Sequence, residues 1–108
     1  PLDLTEALAA ARAEEIILLD CATLWLSNLM MAERDIQSAC AGLCTALTQA
    51  PCPVIVVSNE VGQGITPDNA MARAFVKHQG HLNQDLARLA QEVIFVTAGI
   101  AHTLKVAP

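Results

Sequence analysis

The chain has 108 residues, of which 54% are hydrophobic and 16% are charged, and its formal net charge at pH 7 is -5. This composition is sufficient to fill a hydrophobic core, which excludes an intrinsically disordered chain, and the length predicts a single domain over residues 1–108. The negative charge and the scarcity of aromatic residues, 3% of the chain, argue against a protein that binds nucleic acid through its phosphates or stacked bases.

The sequence shows no clear targeting signal and no clear disulfide pattern. No apolar run is long enough to span a bilayer, and charged residues interrupt the first stretch, so we expect neither a membrane span nor a signal peptide. The four cysteines show neither CxxC spacing nor a regular disulfide pattern, which favours free thiols in a reducing cytoplasm. They are Cys21, Cys40, Cys44 and Cys52. Because the chain begins at Pro1 rather than methionine, we expect a fragment.

The first predicted elements are an Ala-rich helix that reaches about Ala13 and a buried strand over residues 16–20. The strand ends in Asp20. A carboxylate in this place is typical of acids that face a metal or nucleotide in α/β proteins, although many structural strands also end in aspartate. Both interpretations remain open at this point.

Residues 21–31 contain more large apolar side chains than a solvated loop carries. Trp25 and Leu29, and also Leu26 and Met30, have the spacing of neighbours on a helix. This helix either packs into the core or presents an apolar patch to a partner subunit or a large ligand, and the sequence favours neither.

One long amphipathic helix is predicted over residues 33–50, ended by Pro51. Cys40 and Cys44 lie on its apolar stripe. Because no histidine or carboxylate is spaced to join them, we expect these thiols in the core rather than in a metal site.

The central stretch of the chain is a loop over residues 58–67, which follows a predicted strand at residues 54–57. The strand is apolar throughout, which predicts burial on both faces. Its carboxyl end is where ligands bind in open α/β sheets, and glycines there allow close approach of the backbone to a ligand. The polar and glycine positions of interest are Asn59, Glu60, Gly62 and Gly64. A purely structural strand-to-helix turn is the competing interpretation.

After the loop, Thr66 is expected to cap a helix that starts at Pro67. We expect Gly80 to break or kink this helix, with a second helical segment following to about residue 91. The pair His78 and His81 suits either a wet helix face or, less often, a metal.

The end of the chain predicts a third strand over residues 93–97, a small-residue turn at residues 98–100 and an extended tail. Helices separate the first three strands, so we expect all strands to be parallel. The fold class is therefore α/β.

Several stretches in one order resemble the bifunctional adenosylcobinamide kinase and adenosylcobinamide-phosphate guanylyltransferase family. They are residues 18–29, 58–67, 72–75, Gly80, 82–84 and 98–105, and the most specific is the sequence from Asn59 to Pro67 followed later by Asn83 and Gln84. The resemblance implies the carboxyl-terminal two-thirds of a P-loop, RecA-like parallel sheet with flanking helices. It also implies a transferase of cobalamin biosynthesis that phosphorylates adenosylcobinamide and transfers GMP from GTP through a histidine, using GTP, ATP and Mg²⁺, and that assembles as a trimer.

The resemblance also implies roles for individual residues. Asp20 corresponds to the nucleotide-contacting acid, suited to ribose hydroxyls or a Mg²⁺ shell. Asn59, Glu60, Gly62 and Gly64 correspond to the active-site loop. Further motif positions, expected at phosphate or subunit contacts, are Arg73, Asn83 and Gln84.

Two parts of the family pattern are absent from this sequence. The glycine-rich P-loop ending in Lys-Ser or Lys-Thr is missing, and none of His78, His81 and His102 stands where the guanylylated histidine belongs. The catalytic residues are therefore unknown, and we expect the chain alone to be inactive. The resemblance implies that the P-loop strand lies inside the sheet, between the second and third strands of this chain. We therefore expect that another chain supplies this strand or that it has been lost, or that this chain pairs its strands in an order different from that of the family. The alternative function is a non-catalytic assembly module that retains the fold.

Overall fold

The computed structural model describes residues 4–60 and 69–106, and this part of the chain has the predicted α/β composition. Its elements are α1 (Leu4–Ala9), β1 (Ile17–Asp20), α2 (Ala22–Met31), α3 (Ile36–Gln49), β2 (Val54–Val57), α4 (Ala70–Leu89), β3 (Val93–Thr97) and β4 (Ile100–Lys105). The first helix ends at Ala9 rather than near Ala13. Within this part, none of the helices combines the length and apolar character needed to cross a membrane.

The hydrophobic core lies between the helices. Its buried members are Leu8, Ala22, Trp25, Leu26, Leu29, Cys40, Leu43 and Leu82. The question left open for residues 21–31 is thus answered mainly in favour of the core, although Leu24 and Met31 remain exposed on α2. Cys40 lies in this core, as predicted, whereas Cys44 is only half-buried, and all four cysteines are free thiols.

Strands β1 and β2 form a parallel pair in register from Ile17 opposite Val54 to Asp20 opposite Val57. Side chains alternate along both strands, so that Ile17, Val54 and Val56 pack against the helical core. On the opposite face, Leu18 is 61% exposed and Ile55 is 56% exposed. The prediction that β2 is buried on both faces is therefore wrong for this chain, because the helices pack on one face of the pair.

Helix α4 runs without interruption from Ala70 to Leu89, so the predicted break at Gly80 is wrong. A glycine in a helix interior costs about 1 kcal/mol relative to alanine. Here Leu82 is buried in the core, and Phe75 and Leu86 pack against it. Packing of this apolar stripe offsets the glycine cost.

The start of α4 is set by Asn69, whose Oδ1 accepts hydrogen bonds from the backbone N–H groups of Met71 and Ala72 at 2.8 and 3.2 Å. An asparagine in this position supplies an acceptor for N–H groups that the first helical turn leaves unpaired. The predicted cap at Thr66 and first turn at Pro67 lie outside the described residues.

Strands β3 and β4 form a separate antiparallel hairpin. Its two-residue turn consists of Ala98 and Gly99, with φ values of 52° and 77°. Positive φ at both central residues is the signature of the type I′ turn, whose twist matches that of the flanking strands. The third strand is found where predicted and the tail is extended, but the prediction that all strands are parallel is wrong because two residues are too few for a parallel crossover.

Candidate functional site

The carboxyl ends of β1 and β2 meet at one edge of the parallel pair. Register places Asp20 opposite Val57, and the chain leaves β2 through Ser58, Asn59 and Glu60. The backbone N–H of Asn59 donates to Thr23 Oγ1 at 2.8 Å, which ties this exit to the first turn of α2. The predicted juxtaposition of the two strand ends is confirmed.

A cluster of three polar side chains connects the end of β2 to α4. Gln79 Nε2 donates to Ser58 Oγ and to Asn83 Oδ1, both at 2.9 Å, and Ser58 Oγ donates to Asn83 Oδ1 at 2.6 Å. Asn83 Nδ2 donates to the carbonyl oxygen of Asn59 at 2.9 Å. Asn59, the residue before Glu60, is thus bonded to α2 through its N–H and to α4 through its carbonyl.

The chemistry available at this edge is that of exposed oxygen ligands. Asp20 and Glu60 are both exposed, and the backbone of Asn59, which precedes Glu60, is held in place by its bonds to Thr23 and Asn83. Carboxylates in such a position bind sugar hydroxyls or a divalent cation with its water shell. Gly62 and Gly64, predicted for the same loop, lie outside the described residues.

The remaining predicted positions all lie on α4, but in different surroundings. Asn83 belongs to the polar cluster, whereas Gln84 lines a groove of about 260 Å³ between α3 and α4, together with His78, His81 and Asp85. Arg73 is exposed in the first turn of α4, where its backbone N–H donates to the carbonyl of Asn69. The structure therefore joins Asn83 to the loop at residues 58–60 and directs Gln84 elsewhere.

Sequence reasoning missed Thr23 and Gln79. Thr23 carries no distinguishing local signal, because its contact is with a residue 36 positions away. Gln79 does carry one: it stands on the stripe that contains Phe75, Leu82 and Leu86, at the helical spacing of core residues. A polar side chain in such a stripe must find partners when it is buried.

Thiols and histidines do not form a second centre in the described ranges. Residues 4–60 and 69–106 contain no cluster of three or more His, Cys, Asp or Glu arranged to hold a metal. Burial raises the pKa of Cys40 to about 11, and the charges of Cys44 and Asp85 act in the same direction. This thiol is therefore protonated near neutral pH, as expected of a core side chain.

Comparison with known proteins supplies the family. Residues 1–104 match the family described as cobinamide kinase / cobinamide phosphate guanyltransferase. The chain is 35% identical over 111 aligned positions to the bifunctional adenosylcobalamin biosynthesis protein CobP of Pseudomonas aeruginosa, an alignment that covers 100% of the chain and 64% of the relative.

Two further relatives are both named bifunctional adenosylcobalamin biosynthesis protein CobU. The protein from Salmonella typhimurium is 36% identical over 107 positions, covering 85% of the chain and 59% of the relative. That from Escherichia coli is 34% identical over 106 positions, covering 84% and 59%. The chain thus spans about three-fifths of the length of these relatives. The resemblance found in the sequence is confirmed, and the chain belongs to the cobinamide kinase and cobinamide phosphate guanyltransferase family.

Proposed function

We propose that the chain contributes half of a nucleotide site to an enzyme that phosphorylates adenosylcobinamide and transfers GMP from GTP to adenosylcobinamide phosphate. The observation that carries this proposal is the paired edge of β1 and β2, where Asp20 lies opposite Val57 and the chain leaves β2 toward Asn59 and Glu60. Family membership and the relatives' names, which refer to adenosylcobalamin biosynthesis, support it. The reaction belongs to assembly of the nucleotide loop of cobalamin.

Asp20 is proposed as the nucleotide-binding acid of this site. Mg²⁺ prefers oxygen ligands, retains several waters, and is usually held by one or two carboxylates together with substrate phosphates. Exposed carboxylates at Asp20 and Glu60 fit that donor set. The cation would supply charge neutralisation at the phosphates of GTP or ATP. Arg73, on the first turn of α4, is a proposed phosphate contact because a guanidinium pairs with phosphate through two parallel hydrogen bonds.

We propose that this chain alone turns over neither reaction. Its sequence contains neither a P-loop motif nor a histidine at the guanylylated position, so phosphoryl transfer and covalent guanylyl transfer require a further segment. Incubation of the chain with radiolabelled GTP is expected to leave the protein unlabelled. Labelled protein after denaturing electrophoresis would contradict this expectation.

The binding test is calorimetry with GTP and with ATP, each with and without Mg²⁺. We expect Mg²⁺-dependent heat with GTP, and loss of about tenfold or more in affinity in Asp20→Asn, since a charged hydrogen-bond partner contributes about 1.5–3 kcal/mol. Glu92→Gln, which removes an exposed carboxylate beyond α4, is the matched control and should bind as the parent chain does. Equal weakening in both variants would point to net charge rather than to a site at Asp20.

The alternative proposal is a non-catalytic assembly module. It is favoured by the exposed apolar side chains on the outer face of β1 and β2, Leu18, Ile55 and Val57. Absence of heat at millimolar GTP would support this module over the nucleotide site. A trimer in the reducing cytoplasm is proposed for either function, and size-exclusion chromatography that shows a stable monomer would count against it.

A further inference from the structure

Gln79 is the only buried polar residue found in the described part of the chain, with 0% of its surface exposed. It lies in the interior of α4, one helical turn before Asn83. Its Nε2 donates both of its hydrogens, to Ser58 Oγ and Asn83 Oδ1. Its Oε1 is buried and finds no hydrogen-bond donor among residues 4–60 and 69–106.

The orientation of this amide is determined by its neighbours. Asn83 Nδ2 donates to the carbonyl of Asn59, so Asn83 Oδ1 is the atom that faces Gln79 and Ser58. Turning the Gln79 amide over would place two carbonyl oxygens against each other. The amide therefore points its N–H₂ group at the end of β2 and leaves Oε1 without a donor among the residues that the structure describes.

An unpartnered buried acceptor is unfavourable for folding, because its hydration is lost without replacement. An apolar side chain of similar length in place of Gln79 would remove that cost. It would also leave no new unpaired donor, because Ser58 Oγ keeps Asn83 Oδ1 as its acceptor and Asn83 Nδ2 keeps the Asn59 carbonyl. The Gln79 amide thus contributes little to the free energy of folding. What it determines is the position of the Ser58 and Asn83 side chains.

We propose that Gln79 is a positioning residue for the candidate site, acting through Ser58 and Asn83 to hold the exit of β2 at Asn59 and Glu60 in its binding orientation. Ser58 is the first residue after β2, and Asn83 bonds the next residue, Asn59. Gln79, in the middle of α4, donates one hydrogen bond to Ser58 and another to Asn83. Its relevance to nucleotide binding rests on the proposed function, whereas its hold on the backbone does not.

The test variant is Gln79→Met, with Gln37→Met on the exposed face of α3 as the matched control. Gln79→Met is expected to melt at the same temperature as the parent chain or higher. Hydrogen exchange of the Asn59 amide, which donates to Thr23, is expected to become about tenfold faster, the effect of losing about one net hydrogen bond. Gln37→Met should change neither measurement. Unchanged exchange at Asn59 would overturn the proposal, as would a variant that unfolds or loses protection throughout the chain.

Binding of Mg²⁺ and GTP, followed by calorimetry, separates this proposal from the proposed function. If the parent chain binds GTP, we expect about tenfold weaker binding in Gln79→Met and no change in Gln37→Met. Equal affinity in Gln79→Met would overturn the positioning role in binding. If the parent chain binds no GTP, the proposed nucleotide site fails in this chain, and the exchange of Asn59 alone decides whether Gln79 positions the backbone.

Gln79→Glu provides a second readout that a purely space-filling role would not produce. A neutral carboxylic acid carries one O–H donor, whereas the ionised form carries none. Burial favours the neutral form of the new side chain, so it should donate a hydrogen bond at low pH and lose that bond as it ionises at higher pH. Asn59 exchange in Gln79→Glu, relative to the parent chain at each pH, is expected to be slower at pH 5 than at pH 8. A ratio independent of pH would contradict the role assigned to the donating group.

Discussion

The two strand pairs of this chain are stabilised in different ways. The pair β1 and β2 packs one face on the helical core, and Asn59, just after β2, is bonded to polar side chains of α2 and α4. The hairpin β3 and β4 has no buried residue, is closed by its own type I′ turn, and is joined to α4 by Lys105 Nζ, which donates to the carbonyls of Ala87 and Arg88. The candidate site therefore depends on tertiary packing, whereas the hairpin depends on local turn chemistry.

The largest expected difference between the two regions is in the cost of removing an apolar side chain. Leu26 is fully buried on α2, so Leu26→Ala should lower the free energy of unfolding by about 3 kcal/mol through lost burial and a residual cavity. Val96 on the hairpin is 62% exposed, and Val96→Ala should cost about 0.5 kcal/mol or less. Urea denaturation of both variants measures the two values. Similar losses would show that the hairpin shares one core with the helices.

Alkaline pH provides a second way to separate the regions. Burial raises the pKa of Cys40 from 9.0 to about 11, so above pH 9 the unfolded chain releases this proton while the folded chain keeps it. The folded state then binds more protons than the unfolded state, and stability must fall as pH rises from 9 to 11, by about 2 kcal/mol. The pKa of Cys44 is raised as well and acts in the same direction.

Urea denaturation at several values between pH 8 and pH 11 measures this loss. Cys40→Ala lowers the stability at all pH values through lost packing, but it should remove most of the additional loss above pH 9. The hairpin contains no cysteine, so Val96→Ala serves as the control with the same slope as the parent chain. An unchanged slope in Cys40→Ala would exclude this thiol as the cause.

Local patterns were sufficient to predict the elements that carry the site. An apolar run ending in Asp20 predicted β1, a second run predicted β2, and the glycine-spaced polar stretch predicted the exit from the sheet. Their meeting at one edge followed from the parallel order alone. What no local pattern shows is the bond between residues distant in sequence, such as that from Gln79 to Ser58, 21 positions away.

The wrong predictions for Gly80, for the pairing of β3 and for the faces of β1 and β2 also have physical causes. Gly80 lowers helix propensity by a small amount that core packing of α4 overrides. The pairing of β3 was misjudged because Ala98-Gly99 is a weak turn signal: alanine is disfavoured at positive φ, and type I′ turns favour asparagine, aspartate or glycine there. The outer face of β1 and β2 is exposed, although the sequence predicts burial of β2 on both faces. An apolar run indicates burial, but it does not identify the element that covers each face.

The turn itself supplies the smallest and most local test of the comparison. Ala98 has φ of 52°, a left-handed conformation that costs an L-residue about 1–2 kcal/mol. Ala98→Gly removes that strain and adds a smaller entropic cost of about 0.5–1 kcal/mol, so the hairpin should gain about 0.5 kcal/mol. The gain is expected as slower amide exchange across residues 94–103, with Asn59 and the core of α4 unaffected.

Ala101→Gly is the matched control, because Ala101 lies on β4 without positive φ and pairs with Val96. There, glycine brings the entropic cost without relief of strain, so exchange over the hairpin should become faster. Opposite signs at the two alanines would show that the turn conformation, rather than the glycine content, controls the hairpin. If Ala98→Gly instead slowed exchange at Asn59 and throughout α4, the hairpin and the candidate site would belong to one cooperative unit, and the separation drawn between the two strand pairs would be wrong.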